Sequence, residues 1–186
     1  TCNHGDFFRS MRIVVIGNAG GGKSTLASAL ATEFSLPLNE CDPILWRWND
    51  GYERVGEREF LSEHTRITEK DRWVLEGLGL LSSFEARIER ATHVVLIDLP
   101  VWQHYWLCAE RQNQWERGEL NHVPGTGQQM PPLKRLFQSI DFVEREWMPI
   151  LRDLVKYAGE RSGKVVQTVS DFSQLATFQL VSDERT

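Results

Sequence analysis

The sequence predicts an α/β fold in which helices cover both faces of a parallel sheet. Short apolar runs that are typical of buried strands alternate along the chain with segments of helical periodicity. The first run, RIVVI, is followed by a glycine-rich segment and then by the helical pattern LASALATEF. Strands that alternate with helices favour parallel pairing, because each crossover helix returns the chain to the same end of the sheet.

The composition fits one globular domain. The 186 residues suffice to bury a core, and seven Trp and nine Phe argue against disorder. No run of about 18 apolar residues occurs, so we expect no membrane association. A net charge of -5 argues against a general nucleic-acid-binding surface. The three cysteines lack C-x-x-C spacing, which excludes a disulfide scaffold and a four-cysteine zinc site and favours free thiols in the cytoplasm.

The predicted elements follow one another in the order that this fold requires. Apolar runs predict five strands, over residues 12–16, 36–41, 73–75, 93–99 and 164–169. Helical patterns cover residues 26–34, 57–70, 81–90, 101–117, 133–157 and 172–180. Pro149 is expected to kink or divide the helical pattern in which it lies. Residues 1–10, ahead of Met11, are interpreted as an extension or tag, and residues 11–186 as a single domain.

A long connection separates two of the predicted helices. Residues 121–132 read NHVPGTGQQMPP, a segment rich in proline and glycine. Loops of this length inside a compact domain are often lids that close over a site. We therefore predict a lid over residues 117–132.

The segment directly after the first strand fits the pattern G-x-x-x-x-G-K-[ST] at every fixed position. Glycines allow consecutive backbone N–H groups to turn inward around phosphate oxygens, and the following helix adds its positive N-terminal end. In this pattern Lys23 reaches the β- and γ-phosphates, and the Ser24 hydroxyl binds Mg²⁺. ATP and Mg²⁺ are the expected ligands. The predicted nucleotide-binding residues are Gly17, Asn18, Ala19, Gly20, Gly21, Gly22, Lys23, Ser24 and Thr25.

Other features narrow the class of P-loop protein. The chain has no N-K-x-D base-reading motif and no LSGGQ-like transporter signature, and it is short for a motor or a ring ATPase. The segments IVVIGNAGGGKSTLASALA, LPLNECDPILWRW, RWVLEG and ERATHVVLIDLP resemble P-loop nucleoside monophosphate and small-molecule kinases. More narrowly, they resemble the adenylate-kinase-related proteins labelled "DNA topology modulation protein". The resemblance implies a P-loop three-layer α/β/α sandwich with five parallel strands and a lid insertion.

Two carboxylates are candidates for the metal side of the site. Asp98 ends the apolar run VVLID, as a Walker B aspartate does in many ATPases, or alternatively caps the next helix. The resemblance instead implies Glu76, which ends the third predicted strand and would hold Mg²⁺ through water or orient the acceptor. The similar kinases have Asp-Gly where this chain has Glu-Gly. We favour Glu76 as the nearer carboxylate.

The resemblance also implies an acceptor-binding segment over residues 42–70. Asp42 would take a proton from an acceptor hydroxyl, unless it is only a turn residue or the acceptor is a phosphate that needs no base. Aromatic rings can stack a base, and guanidinium groups can hold a phosphate. The predicted acceptor-binding residues are Asp42, Trp46, Arg47, Arg54 and Arg87. The alternatives are a core position for Trp46 or Trp48 and a surface salt bridge for Arg87.

Phosphoryl transfer also requires positive charge around the transferred oxygens. The resemblance implies that arginines at the base of the lid supply this charge, and Arg111 and Arg117 precede the loop. We predict that both bind ATP and that Arg111 is also catalytic. Lys134 and Arg135 follow the loop and are alternatively solvated charges on a helix.

Together these expectations describe an ATP- and Mg²⁺-dependent kinase of a nucleotide, nucleoside or other small metabolite. Its predicted catalytic residues are Lys23, Asp42, Glu76 and Arg111. Its expected partner is the phosphate acceptor, with no nucleic acid and no membrane. The alternative is a nucleotide-binding regulatory ATPase without a small-molecule acceptor, in which Asp98 is the Walker B residue and water attacks ATP.

Overall fold

The computed structural model describes residues 10–120, 130–162 and 164–181. Residues 1–9 of the predicted extension and residues 121–129 of the predicted lid lie outside the described residues. The described chain forms one central sheet and a separate two-stranded hairpin.

The central sheet contains five strands, all parallel, as predicted. In chain order the strands of the described residues are β1 (Met11–Gly17), β2 (Leu38–Glu40), β3 (Trp46–Trp48), β4 (Tyr52–Arg54), β5 (Arg72–Glu76), β6 (His93–Ile97) and β7 (Val165–Val169). Their order across the central sheet is β2-β5-β1-β6-β7. The central position of β1 places the carboxyl ends of β5 and β6 on either side of the glycine-rich loop that follows it.

Helices connect the strands and cover the sheet. They are α1 (Lys23–Glu33), α2 (Cys41–Leu45), α3 (Glu57–Thr68), α4 (Phe84–Arg90), α5 (Val101–Glu116), α6 (Leu133–Glu146) and α7 (Met148–Arg161), with 3₁₀ turns at Leu81–Ser83 and Phe172–Thr177. The predicted helix over residues 133–157 is divided into α6 and α7, and Pro149 lies in the first turn of α7. Proline fits a first turn because the N–H group that it lacks would have no helical partner there. In the described residues, no helix combines the length and the apolar character needed to cross a membrane.

Alternation along the strands builds a hydrophobic core on each face of the sheet. In β1, Val14 and Ile16 pack with Trp73 in one cluster, while Ile13 and Val15 pack in the other. Successive side chains of a strand point to opposite faces, so an unbroken apolar run is what a strand buried on both faces requires. These two cores make the three-layer α/β/α arrangement that the sequence predicts.

The segment after β2 folds into elements that the sequence did not predict. It forms the short helix α2 and then the hairpin of β3 and β4, in which Trp46 pairs with Arg54. The turn is built from Asn49, Asp50 and Gly51, and Asp50 has a φ of 51°. Asn, Asp and Gly are the residues that tolerate this left-handed conformation in tight hairpin turns. Strands of three residues are too short to show a clear alternation in the sequence.

A buried histidine lies in the helix that follows the hairpin. His64 in α3 is 2 % exposed, and its ring packs against that of Phe60 with 5.8 Å between ring centroids. Burial lowers the pKa of His64 from 6.5 to about 4, and the nearby charge of Arg87 acts in the same direction. His64 is therefore neutral in the folded protein at neutral pH.

We expect the free energy of unfolding to fall as the pH drops from 6.5 towards 4. In this window the unfolded His64 binds a proton and the folded one does not, so acid favours the unfolded state. One such group contributes a slope of at most about 1.4 kcal/mol per pH unit. Urea unfolding of the wild type and of His64→Phe, which keeps an aromatic ring against Phe60, measures the contribution. Equal losses of stability in the two proteins would contradict it.

Candidate active site

The loop between β1 and α1 passes too close to its neighbours to accommodate side chains at its glycine positions. A Cβ on Gly17 would lie 2.2 Å from the carbonyl oxygen of Ile97, and one on Gly20 would lie 2.4 Å from the Sγ of Cys108. Gly20 and Gly22 have φ of 69° and 77°, which glycine adopts without strain. The glycines of the motif are therefore required by packing and backbone conformation as well as by any ligand.

Asn18 and Ala19, two variable positions of the motif, anchor this loop to the rest of the protein. Asn18 is fully buried, and its Nδ2 donates to the carbonyl of Ile140 in α6 at 2.9 Å. Its Oδ1 accepts from the backbone N–H of Ala19 at 2.8 Å. The Ala19 carbonyl in turn lies 2.7 Å from the Nδ1 of His104 in α5. These bonds hold the loop against two helices that are distant in sequence.

Lys23 at the start of α1 is buried beside the loop. Its Nζ donates to the carbonyl of Asn18 at 2.7 Å. Burial lowers the pKa of Lys23, while the negative charges of Glu76 and Asp42 raise it. These carboxylates offset the cost of burying the ammonium group. The motif requires a phosphate-binding charge at this point of the loop, and Lys23 supplies it.

The Ser24 hydroxyl donates to the Oε1 of Glu76 at 2.9 Å. Parallel pairing of β1 with β5 produces this contact, because the register sets Glu76 beside Val15, two residues before Gly17, the first glycine of the motif. Burial raises the pKa of Glu76, and the charge of Lys23 and the bond from Ser24 act against that shift. The contact gathers a hydroxyl and a carboxylate, which are oxygen groups of the kind that Mg²⁺ prefers.

Asp98, the rival carboxylate, is engaged elsewhere. Arg152 in α7 binds both of its oxygens, with distances of 2.7 to 3.1 Å, and also binds Glu144 at 2.6 Å. These bonds raise the pKa of Arg152. No local pattern in the sequence predicts this long-range pair. Of the two candidate carboxylates, the structure places Glu76 at Ser24 and Asp98 in an ion-pair network with α7.

Asp42 lies in the first turn of α2, directly after β2. Its side chain reaches solvent, yet the surrounding protein raises its pKa by desolvation, while the charges of Lys23 and Arg111 lower it. Burial raises the pKa of the Tyr52 phenol in the hairpin, and the charge of Asp42 acts in the same direction while that of Arg111 opposes it. The structure thus brings Asp42 and Arg111 into the electrostatic surroundings of Lys23, with the hairpin beside them.

The two predicted lid arginines differ in their surroundings. Arg111 has a buried Nε with no hydrogen-bond partner among the described residues, and its charge acts on Lys23 and Asp42. Arg117 follows α5 on the surface, where it forms ion pairs with Glu110 and Glu119. Only Arg111 is therefore placed near the loop. Two residues that sequence reasoning missed, His104 and Cys108, precede Arg111 at helical spacing on the same face of α5.

Arg87, one of the arginines predicted to bind the acceptor, has other partners. Arg87 is fully buried, and its guanidinium donates to the carbonyls of Gly77 and Leu78 and to the Sγ of Cys41, which lies at 3.0 Å. It holds the loop that follows β5, and it has no exposed surface for an acceptor. Burial raises the pKa of the Cys41 thiol to about 11, so this partner is neutral.

The hairpin contacts α3 through an ion pair. Arg47 is exposed and pairs with Glu59 of α3. Trp46 and Tyr52 meet edge to face across the hairpin, with 6.4 Å between ring centroids and 83° between ring planes. Arg54 lies opposite Trp46 and is exposed. Trp46 is half-buried and packs against the core.

Comparison with solved structures identifies the fold class. The chain is similar to a shikimate kinase from Acinetobacter baumannii in complex with shikimate, with 17% identity, a TM-score of 0.55, and coverage of 93% of this chain and 92% of that one. It is also similar to a shikimate kinase from Bacteroides thetaiotaomicron, with 15% identity, a TM-score of 0.50, and coverage of 90% and 93%. No protein-family model matches the sequence, and no curated protein matches it significantly. The chain has the α/β fold of P-loop kinases.

Gly17→Ala should destabilise the protein by about 1–3 kcal/mol, because the new Cβ would overlap the Ile97 carbonyl. Gly51→Ala is the matched control, since a Cβ at that position meets nothing within 4 Å. It should change the free energy of unfolding by less than about 0.5 kcal/mol. Urea unfolding of both variants measures the difference. Similar stabilities for the two variants would contradict the close approach of the loop to β6.

Proposed function

We propose that the protein is an ATP- and Mg²⁺-dependent phosphotransferase that transfers the γ-phosphoryl group of ATP to a small-molecule or nucleotide acceptor. The observation that carries the proposal is the hydrogen bond from Ser24 to Glu76 beside the buried Lys23. It joins the last residue of the P-loop motif to a carboxylate from the neighbouring strand. The charges of Asp42 and Arg111 also act on Lys23: Asp42 raises its pKa and Arg111 lowers it.

The loop supplies the groups that hold the phosphates. Backbone N–H groups around the glycines and the N-terminal end of α1 favour anionic oxygens. Lys23 is already anchored on the loop by the Asn18 carbonyl and can exchange that bond for a phosphate oxygen. Ser24 would bind ATP-associated Mg²⁺ directly, and Glu76 through water.

The donor set fits Mg²⁺, because a hydroxyl and a carboxylate are the hard oxygen groups that it prefers. Within the described residues, no group of three or more His, Cys, Asp or Glu side chains could hold a metal ion. Magnesium bound with ATP needs only one or two protein groups, since phosphates and water complete its coordination. When bound, Mg²⁺ would supply neutralising charge to the phosphate oxygens.

Asp42 and Arg111 would act on the acceptor side. If the acceptor presents a hydroxyl, Asp42 takes its proton, and the raised pKa makes this carboxylate a better base than an ordinary aspartate. If the acceptor presents a phosphate, Asp42 only positions it. Arg111 would place positive charge near the transferred oxygens. The narrower resemblance to the "DNA topology modulation" proteins remains a prediction that these contacts do not address.

The alternative, a regulatory ATPase, depended on Asp98 as the Walker B residue. The bidentate bond from Arg152 to Asp98 favours the kinase proposal, because it engages that carboxylate away from Ser24. The fold likeness to shikimate kinases also supports a small acceptor, although it does not name one. The two functions differ in whether a small molecule stimulates ATP turnover.

The test is ADP release from Mg-ATP across a panel of nucleoside monophosphates, nucleosides and hydroxylated metabolites that includes shikimate. We expect one acceptor to raise turnover well above hydrolysis and to appear as a phosphorylated product by mass spectrometry. Lys23→Ala should abolish both. Slow hydrolysis that no acceptor stimulates, and that Lys23→Ala removes, would instead establish the regulatory ATPase.

Variants of the two carboxylates separate their roles. Glu76→Gln should lower kcat by about 10–100-fold, as expected for a group that holds a metal through water. Asp98→Asn should leave kcat within about threefold but weaken the bond to Arg152 and lower the free energy of unfolding by about 1–2 kcal/mol. Turnover with the acceptor found above and urea unfolding measure both effects. Loss of turnover in Asp98→Asn alone would overturn this assignment.

A further inference from the structure

One buried side chain acts on the loop without belonging to the motif. His104 in α5 is fully buried, and its Nδ1 lies 2.7 Å from the carbonyl oxygen of Ala19. A carbonyl can only accept a hydrogen bond, so Nδ1 carries the proton and donates it. The histidine therefore fixes the direction of one carbonyl within the glycine-rich loop.

That carbonyl shares a peptide unit with the N–H of Gly20. In a trans peptide the C=O and the following N–H point in opposite directions, and the described chain contains no cis peptide. Because the Ala19 carbonyl points at α5, the Gly20 N–H points away from α5. The same helix closes that side of the loop: a Cβ on Gly21 would lie 3.0 Å from the Cε1 of His104. The remaining open side is the one available to a phosphate.

This peptide unit needs an external anchor. Gly20 has a φ of 69°, and glycine adopts positive and negative φ with similar ease. A peptide unit followed by glycine can rotate between the two turn types that differ in its direction. Nothing in the local sequence prevents the Gly20 N–H from turning towards α5, whereas the bond to His104 does.

We infer that His104 is a positioning residue of the nucleotide site, which holds the Ala19–Gly20 peptide so that the Gly20 N–H faces the phosphate groups. The inference rests on the proposed nucleotide binding and adds to it a residue outside the motif. His104 does not touch the phosphate and acts through the backbone. Its contribution is a donor that is correctly oriented before the nucleotide binds.

The test compares side chains that place an N–H at different points. The Nδ2 of asparagine can replace the Nδ1 of histidine, whereas the Nε2 of glutamine corresponds to the other ring nitrogen. We expect His104→Asn to bind Mg-ADP within about threefold of the wild type, and His104→Gln and His104→Phe to bind about tenfold more weakly, the loss expected for one oriented hydrogen bond. Trp102→Phe, an exposed position of the same helix, is the matched control and should bind as the wild type.

Isothermal titration calorimetry gives each dissociation constant, and thermal unfolding shows whether each variant is folded. Equal affinities of the Asn and Gln variants, or a folded Phe variant that binds as the wild type, would overturn the positioning role and leave His104 as packing only. If the Phe variant does not fold, the Asn and Gln pair decides alone. A wild type that does not bind Mg-ADP would instead remove the proposed nucleotide site, and the inference with it.

Discussion

The site depends on one constraint. The loop that follows β1 passes close to both β6 and α5. At Gly17 and Gly20 the neighbouring atoms leave no space for a Cβ. Glycine at these positions lets the backbone pass close to β6 and α5 and continue into α1, whose N-terminal N–H groups favour anions.

Sheet register supplies the next part of the site. Because β5 pairs with β1, Glu76 comes level with Val15 and reaches Ser24 after the turn. The charges that meet there compensate one another: burial disfavours the ammonium of Lys23, and the carboxylates of Glu76 and Asp42 favour it. The site thus holds paired charges, because a buried charge without a partner would be too costly. When a polyanion binds, these charges can be redistributed.

Local patterns in the sequence were sufficient to predict the parts of the fold that depend on residues close together along the chain. The strand runs and the motif over residues 17–24 are continuous segments, so their spacing predicts a parallel sheet and a phosphate-binding loop. The bonds of His104 to Ala19 and of Arg152 to Asp98 join residues 85 and 54 positions apart, and no local pattern encodes them. Arg87 shows the same limit, because only the packed structure reveals that its guanidinium is buried against backbone carbonyls.

The most direct test of the nucleotide site is a crystal structure of the protein with Mg-ADP. We expect the β-phosphate to lie within hydrogen-bond distance of the Nζ of Lys23 and of backbone N–H groups in residues 20–24. We also expect Mg²⁺ to be bound by the Ser24 hydroxyl, with a water between the ion and Glu76. Nucleotide bound away from this loop, or Mg²⁺ bound at Asp98 in place of Arg152, would contradict it.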